Sequence, residues 1–211
     1  MLSEKLFIPG PAGRIQAVLE IPETDAPLPA IAVVCHPHPL YGGSLQNKVV
    51  HVLARTFVDM GVAVLRFNFR GVGESQGRFD QGQGEQADLQ AAVAWLRQRY
   101  PDPPLWLAGF SFGAFVAYLA HREVAASRLL LVAPPLRLFE FGEIRPVEVP
   151  WLVIQGSDDE IVSADAVQRW VSTQPEPAEF HLLEGASHFF HGRLNDLRKV
   201  VQTSWGKKQG E

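Results

Sequence analysis

The stretch Leu105–Ala120, LWLAGFSFGAFVAYLA, decides the architecture of this chain. Its first half is an apolar run of strand length, and its second an apolar run that suits a buried helix. Between them stands Gly109-Phe110-Ser111-Phe112-Gly113, a G-x-S-x-G pattern. A chain that reverses sharply from strand to helix leaves no room for side chains at the flanking positions, so glycine is required there. The serine is left in strained backbone geometry with its hydroxyl projecting above the sheet. The helix start beneath it offers unpaired N–H groups and a positive dipole end to a developing oxyanion. The pattern alone is weak in a chain with 18 glycines. The strand before it and the helix after it give it weight.

Working outward, short β-branched or apolar runs alternate with longer amphipathic ones. Leu6–Ile8 and Arg14–Ile21 read as a hairpin around a Pro/Gly turn. Strands follow at Pro29–Cys35, Val62–Phe69, Leu105–Gly109, Arg128–Ala133, Trp151–Gln155 and Ala178–Leu183. Helices are expected at Gln46–Met60, Glu85–Tyr100, Phe112–Arg122, Ala164–Thr173 and from about Gly192 to Trp205. Glu85 and Asp88 suit the start of their helix and Arg97 and Arg99 its end. The expected fold class is α/β: a mostly parallel open sheet of about eight strands with helices on both faces. In such sheets function sits on the loops at the carboxyl ends of the strands.

The chain has 211 residues, 46% of them hydrophobic, which suits one sizeable core and a single domain spanning residues 1–211. With 20% charged residues and a net charge of -4, it has no long-range attraction for nucleic acid or an anionic membrane surface. No run approaches a membrane-spanning length, and the start lacks the basic-then-apolar pattern of a signal peptide, so a cytoplasmic location is the default expectation. The single cysteine, Cys35, ends an apolar run and reads as a small buried hydrophobe.

A serine hydroxyl needs a base within hydrogen-bond reach. His188 is the best placed of the seven histidines, in the loop EGASHFFHG after the last strand. His181 falls within a strand, and His51 and His121 on helices; His191, expected to start the last helix, is the serious competitor. The base needs a buried acceptor to fix its tautomer. The loop GSDDEIV offers Asp158 and Asp159, and its spacing favours Asp159, with Asp158 an exposed turn residue and Glu160 a solvated loop charge. The chain order Ser111, Asp159, His188 is the one expected when such a turn sits in an α/β sheet.

A tetrahedral intermediate also needs two N–H donors. Phe112, after the serine, supplies one. The loop His36-Pro37-His38-Pro39-Leu40-Tyr41-Gly42-Gly43 supplies the other. Proline has no N–H, which leaves His38 as preferred donor and Leu40 in reserve. His36 is expected to hold the loop by hydrogen bonding. A His36/His38 metal pair is the weaker reading, because the neighbouring segment brings no acids or further histidines, and no cofactor is expected.

Together, HPHPLYGG, RFNFRGVGES, GFSFG, GSDDEIV and SHFFHG resemble small bacterial members of the α/β-hydrolase superfamily, closest to a compact carboxylesterase-like group. The resemblance covers nearly the whole chain. It implies the strand order 1-2-4-3-5-6-7-8 and the assignments above, with Arg70 and Glu74 as loop-organising charges. The interval from Pro134 to Pro150, where many members carry a lid, leaves room for one short helix around Leu136–Phe141 at most. The site is therefore expected to be open, with apolar walls drawn from Tyr41, Phe110, Phe112, Phe139, Phe141 and Phe189. The implied partner is a small-molecule, short-chain ester, without activation at lipid interfaces.

Overall fold

The computed structural model describes residues 1–136, 146–176 and 178–206. Eight strands form one sheet: β1 (Leu2–Gly10), β2 (Gly13–Ile21), β3 (Ile31–Cys35), β4 (Ala63–Phe67), β5 (Leu105–Phe110), β6 (Arg128–Val132), β7 (Trp151–Gly156) and β8 (Glu179–Leu183). Among the described residues five α-helices accompany them: α1 (Lys48–Asp59), α2 (Gln83–Arg99), α3 (Phe112–Ala120), α4 (Ala164–Ser172) and α5 (Leu194–Trp205). The strand order is β1-β2-β4-β3-β5-β6-β7-β8. β2 pairs antiparallel with β1 and β4, and every other pairing is parallel.

Strands buried on both faces read as continuous apolar runs, as IAVVC does in β3. Alternate residues of that run enter two separate cores. Ile31, Val33 and Cys35 join the layer under α2, α3 and α4, while Ala32 and Val34 join the layer under α1 and α5. The sheet is thus covered on both sides, and its carboxyl edge is left to loops. Among the described residues no helix is long and apolar enough to cross a membrane.

The element bounds differ from expectation where side chains intervene. β1 runs the full length of its partner, longer than expected, because backbone pairing with β2 continues to Leu2 although most of its side chains are exposed. α1 starts at Lys48, since the Asn47 side chain accepts the N–H groups of Val49 and Val50. α2 starts at Gln83, with the Glu85 carboxylate reaching back to the N–H groups of Asp80 and Gly82. α5 starts at Leu194, because Gly192 has a φ of 71°, outside helical geometry. β4 stops at Phe67, and Asn68 turns to bind the Leu45 N–H at 2.8 Å. Arg66 takes the Leu45 carbonyl at 2.6 Å and the Glu20 carboxylate at 2.9 Å. Both backbone groups of Leu45 are therefore held by β4 and the residue that follows it, which braces the loop after β3.

Glu20 and Arg66 are both buried, and removing one partner strands the other charge. Glu20→Leu should lower stability by about 3–5 kcal/mol in urea unfolding. A loss below about 1 kcal/mol would show that the guanidinium is satisfied without the carboxylate.

Candidate functional site

Ser111 sits between β5 and α3 with φ 53° and ψ -121°, a conformation that a residue with a Cβ adopts only under constraint. Its N–H donates to the Val132 carbonyl at 2.8 Å, and its carbonyl accepts from Ala114 at 2.8 Å. A Cβ on Gly109 would collide with the Gly113 carbonyl, and one on Gly113 with the Cys35 carbonyl. The two glycines are what let strand, turn and the neighbouring loop lie this close.

The loops after β7 and β8 bring Asp159 and His188 to the same point. His188 Nε2 lies 3.1 Å from Ser111 Oγ, and His188 Nδ1 lies 2.8 Å from Asp159 Oδ2. The carboxylate partner fixes the proton on Nδ1, which leaves Nε2 to accept from the hydroxyl. Burial pushes the Asp159 carboxyl up, but the hydrogen bonds from His188, Val162 and Ile161 outweigh it and hold the group below the ordinary aspartate range. Oδ1 accepts the N–H groups of Ile161 and Val162, at 2.9 and 2.7 Å. Oδ2 accepts a second bond, from Gln155 Nε2 at 2.9 Å.

The other acids of that loop do different things. Asp158 is exposed and accepts from the Ser157 hydroxyl at 2.8 Å. Glu160, expected to be only a solvated charge, accepts the backbone N–H of His188 at 3.1 Å and so helps to fix the loop that carries the imidazole. His191 lies in the turn before α5, its ring against Phe189, and makes no contact with Ser111.

His38 and Phe112 both line a cavity of about 450 Å³ beside Ser111. The reserve donor Leu40 is spent locally, since its N–H donates to His38 Nδ1 at 3.1 Å. His36 is buried, and both ring nitrogens are engaged. The Phe69 N–H donates to Nε2 at 3.0 Å, so the proton sits on Nδ1 and is donated to the Pro37 carbonyl at 2.6 Å. A ring so occupied has no lone pair for a metal. Among the described residues no three His, Cys, Asp or Glu side chains gather as a metal site.

Of the expected walls, Tyr41, Phe112 and Phe189 line the cavity. Phe110 does not. It points to the α1/α5 face of the sheet, fully buried under the His188 ring with centroids 5.2 Å apart, and so supports the histidine from below. Phe139 and Phe141, and most of the short helix expected around Leu136–Phe141, lie outside the described residues. Walls not anticipated are Pro37, Gly42, Gly43, Asn47 and Ile161. Half-buried Arg70 and buried Asp88 form a pair, at 2.9 and 3.0 Å, that holds the turn after β4. Asp88 therefore serves that turn more than its own helix. Glu74 is exposed and lies 3.8 Å from Arg14.

The family model described as "Serine aminopeptidase, S33" matches residues 32–147. An uncharacterized protein of Rickettsia prowazekii (strain Madrid E) is 38% identical over 207 residues, covering 93% of this chain and 86% of its own length. The chain belongs to the S33 family. Its solved structural neighbours include a serine hydrolase without lid from Xanthomonas campestris, 42% identical with a TM-score of 0.93, covering 99% of this chain and 97% of that one. A serine hydrolase homologue from Coxiella burnetii is 40% identical, also at TM-score 0.93, covering 98% and 99% of the two chains. This S33 member is thus an α/β serine hydrolase, and the short Pro134–Pro150 interval accords with a neighbour described as lacking a lid.

Burial pushes the His36 imidazole down to about 4, whereas an unfolded histidine titrates near about 6.5. The unfolded chain therefore binds the extra proton between those values. The stability due to neutral His36 is complete above about pH 6.5 and is lost as pH falls through about 4. Going from pH 8 to pH 5 should remove about 2 kcal/mol through this group. His36→Gln, which keeps a donor and an acceptor, should lack that loss in urea unfolding at the two pH values. Equal acid losses in both proteins would assign the effect to other groups.

Proposed function

We propose that this chain cleaves small or short-chain carboxylic esters through an acyl-enzyme on Ser111. The observation that carries the reading is the hydrogen-bonded chain from Ser111 Oγ to His188 at 3.1 Å and on to Asp159 at 2.8 Å, beside an open cavity. Ser111 Oγ attacks the ester carbonyl carbon while His188 Nε2 takes its proton. The N–H groups of Phe112 and His38 hold the oxyanion. Collapse of the intermediate breaks the bond to the alcohol oxygen, which receives the proton from His188. Water then attacks the acyl carbon with the same histidine as base, releasing the acid and restoring Ser111. Asp159, ionised throughout, stabilises the imidazolium and keeps its orientation.

The family description raises a second reading, release of an amino-terminal residue by the same acyl-enzyme. An aminopeptidase must hold a substrate ammonium, for which a carboxylate is the natural partner. No aspartate or glutamate stands among the described wall residues of the cavity. That favours the ester.

Ser111→Ala and His188→Ala should abolish turnover of a small aryl ester, and Asp159→Asn should lower kcat by up to about four orders of magnitude. Asp158→Asn should leave it near the parent value. Equal losses in the two aspartate variants would reverse the assignment. Labelling of Ser111 by a fluorophosphonate separates an activated serine from a fold retained only for binding, since an unactivated hydroxyl does not react.

Gln155 gives an independent check on the same chain of bonds. It is fully buried, and its Oε1 has no partner among the described residues, a cost of about 1–3 kcal/mol. Its Nε2 meets Asp159 on the oxygen that also faces His188. Gln155→Met should lower kcat about tenfold with KM unchanged. A change confined to KM would place its role in substrate binding instead.

A further inference from the structure

The cavity beside Ser111 does not end at Phe189. A second hollow of about 310 Å³ shares the wall residues Gly42, Asn47 and Phe189 with it, so the two adjoin there as a first and a second arm. Their chemistry differs. The first arm is walled largely by apolar and aromatic groups, including Tyr41, Phe112, Ile161 and Phe189. The second is lined by Ser44, Gln46, Asn47, Lys48 and His191, with no aspartate or glutamate among its described walls.

Lys48 makes no hydrogen bond or ion pair among the described residues. Arg14, Arg55, Arg99, Arg122, Arg193 and Arg198 each stand near a carboxylate; of the described cations without an ion pair, Lys48 is the one that lines this hollow. A cation left without a carboxylate in a concave wall attracts an anion more strongly than one on a convex surface, because low-dielectric walls focus its field. His191, whose imidazole carries at least one N–H donor in either protonation state, lines the same hollow.

We propose that the second arm seats an anionic group, a carboxylate or a phosphate, on the alcohol portion of the ester that Ser111 cleaves. The proposal rests on the ester reading above and adds the substrate class. The alcohol side follows from the wall. The departing oxygen takes its proton from His188, and Phe189 and His191, which follow His188 in the chain, form the rim over which the alcohol leaves. The apolar arm is then left to the acyl group.

Two matched pairs of esters test this. The first carries the charge on the alcohol: 3-acetoxypropanoate against 3-acetoxypropanamide. The second carries it on the acyl side: ethyl hemisuccinate against ethyl succinamate. Wild-type enzyme should prefer the anionic member of the first pair by about three- to fivefold in kcat/KM, through KM. Raising salt should weaken that preference. Lys48→Gln with His191→Gln should erase it while leaving turnover of the neutral acetoxypropanamide within about twofold of wild type. Replacing the carboxylate by phosphate, in 2-acetoxyethyl phosphate, should enlarge the effect of the double variant. Equal losses on both members of the first pair, or no preference in wild type, overturn the anionic arm while the ester reading stands. An effect confined to the hemisuccinate pair overturns the alcohol-side placement. Failure to turn over any of the esters ends the ester reading and this proposal with it.

Discussion

The backbone of Ser111 is the constraint on which the rest of the structure depends. A residue held at φ 53° and ψ -121° costs on the order of 1–3 kcal/mol and persists only where its surroundings over-determine it. Here they do so from three sides. The Ser111 N–H extends the β5–β6 ladder to Val132, and the Ser111 carbonyl accepts the first bonds of α3. Gly113 brings the helix start against the carbonyl of Cys35, at the end of β3. The strain cannot relax without parting two strands and a helix that share a buried core. The hydroxyl is therefore fixed before any ligand arrives, which is the condition for an alignment that needs no reorganisation at the moment of reaction.

The electrostatics follow from where the acids fall on one short loop. Asp158, Asp159 and Glu160 are adjacent, yet each meets a different partner. Asp158 faces the Ser157 hydroxyl, Asp159 the imidazole, and Glu160 the backbone of the residue that bears that imidazole. Asp159 can stay ionised while its side chain is fully enclosed because four donors surround its two oxygens. Two of those donors are backbone N–H groups of its own turn, so the loop supplies the stabilisation without a cation. A lysine or arginine there would compensate the charge as well, and would compete with the histidine for it.

Much of this was legible in the residues. Apolar runs buried on both faces and the amphipathic spacing of the intervening segments carry the strands and helices of the parallel sheet, and the turn chemistry around Ser111 marks its edge. The spacing in GSDDEIV distinguished Asp159 from Asp158, and the structure brings Asp159, and not Asp158, to His188. What stayed hidden depends on pairs far apart in the chain. Nothing in VLRFNF announces that Arg66 and Asn68 hold Leu45, more than 20 positions earlier. Gln155 reads as the polar end of an apolar strand, and only its distance from Asp159 gives it a purpose. Phe110 misled for a different reason. Ser111 and Phe112 line the cavity, but successive strand residues point to opposite faces, so Phe110 lies beneath the histidine and outside the cavity wall.

These layers divide the work between groups that fix and groups that select. Asp159 is enclosed and its partners are protein atoms, while His188, almost wholly buried, meets the cavity beside Ser111. Tyr41, Ile161 and Phe189 at the mouth are exposed and belong to turns and loops outside the strand ladder. Change at the mouth alters which groups fit without disturbing the buried chain of bonds, because no bond of that chain passes through those three side chains. The loop after β3 joins the two layers. His36 and Leu45 anchor it to the segment after Phe67 and to β4 side chains, and Tyr41 stands exposed at its tip with its ring against His38. The proposed oxyanion donor His38 and the cavity wall Tyr41 therefore share one loop, which is anchored at both of its ends.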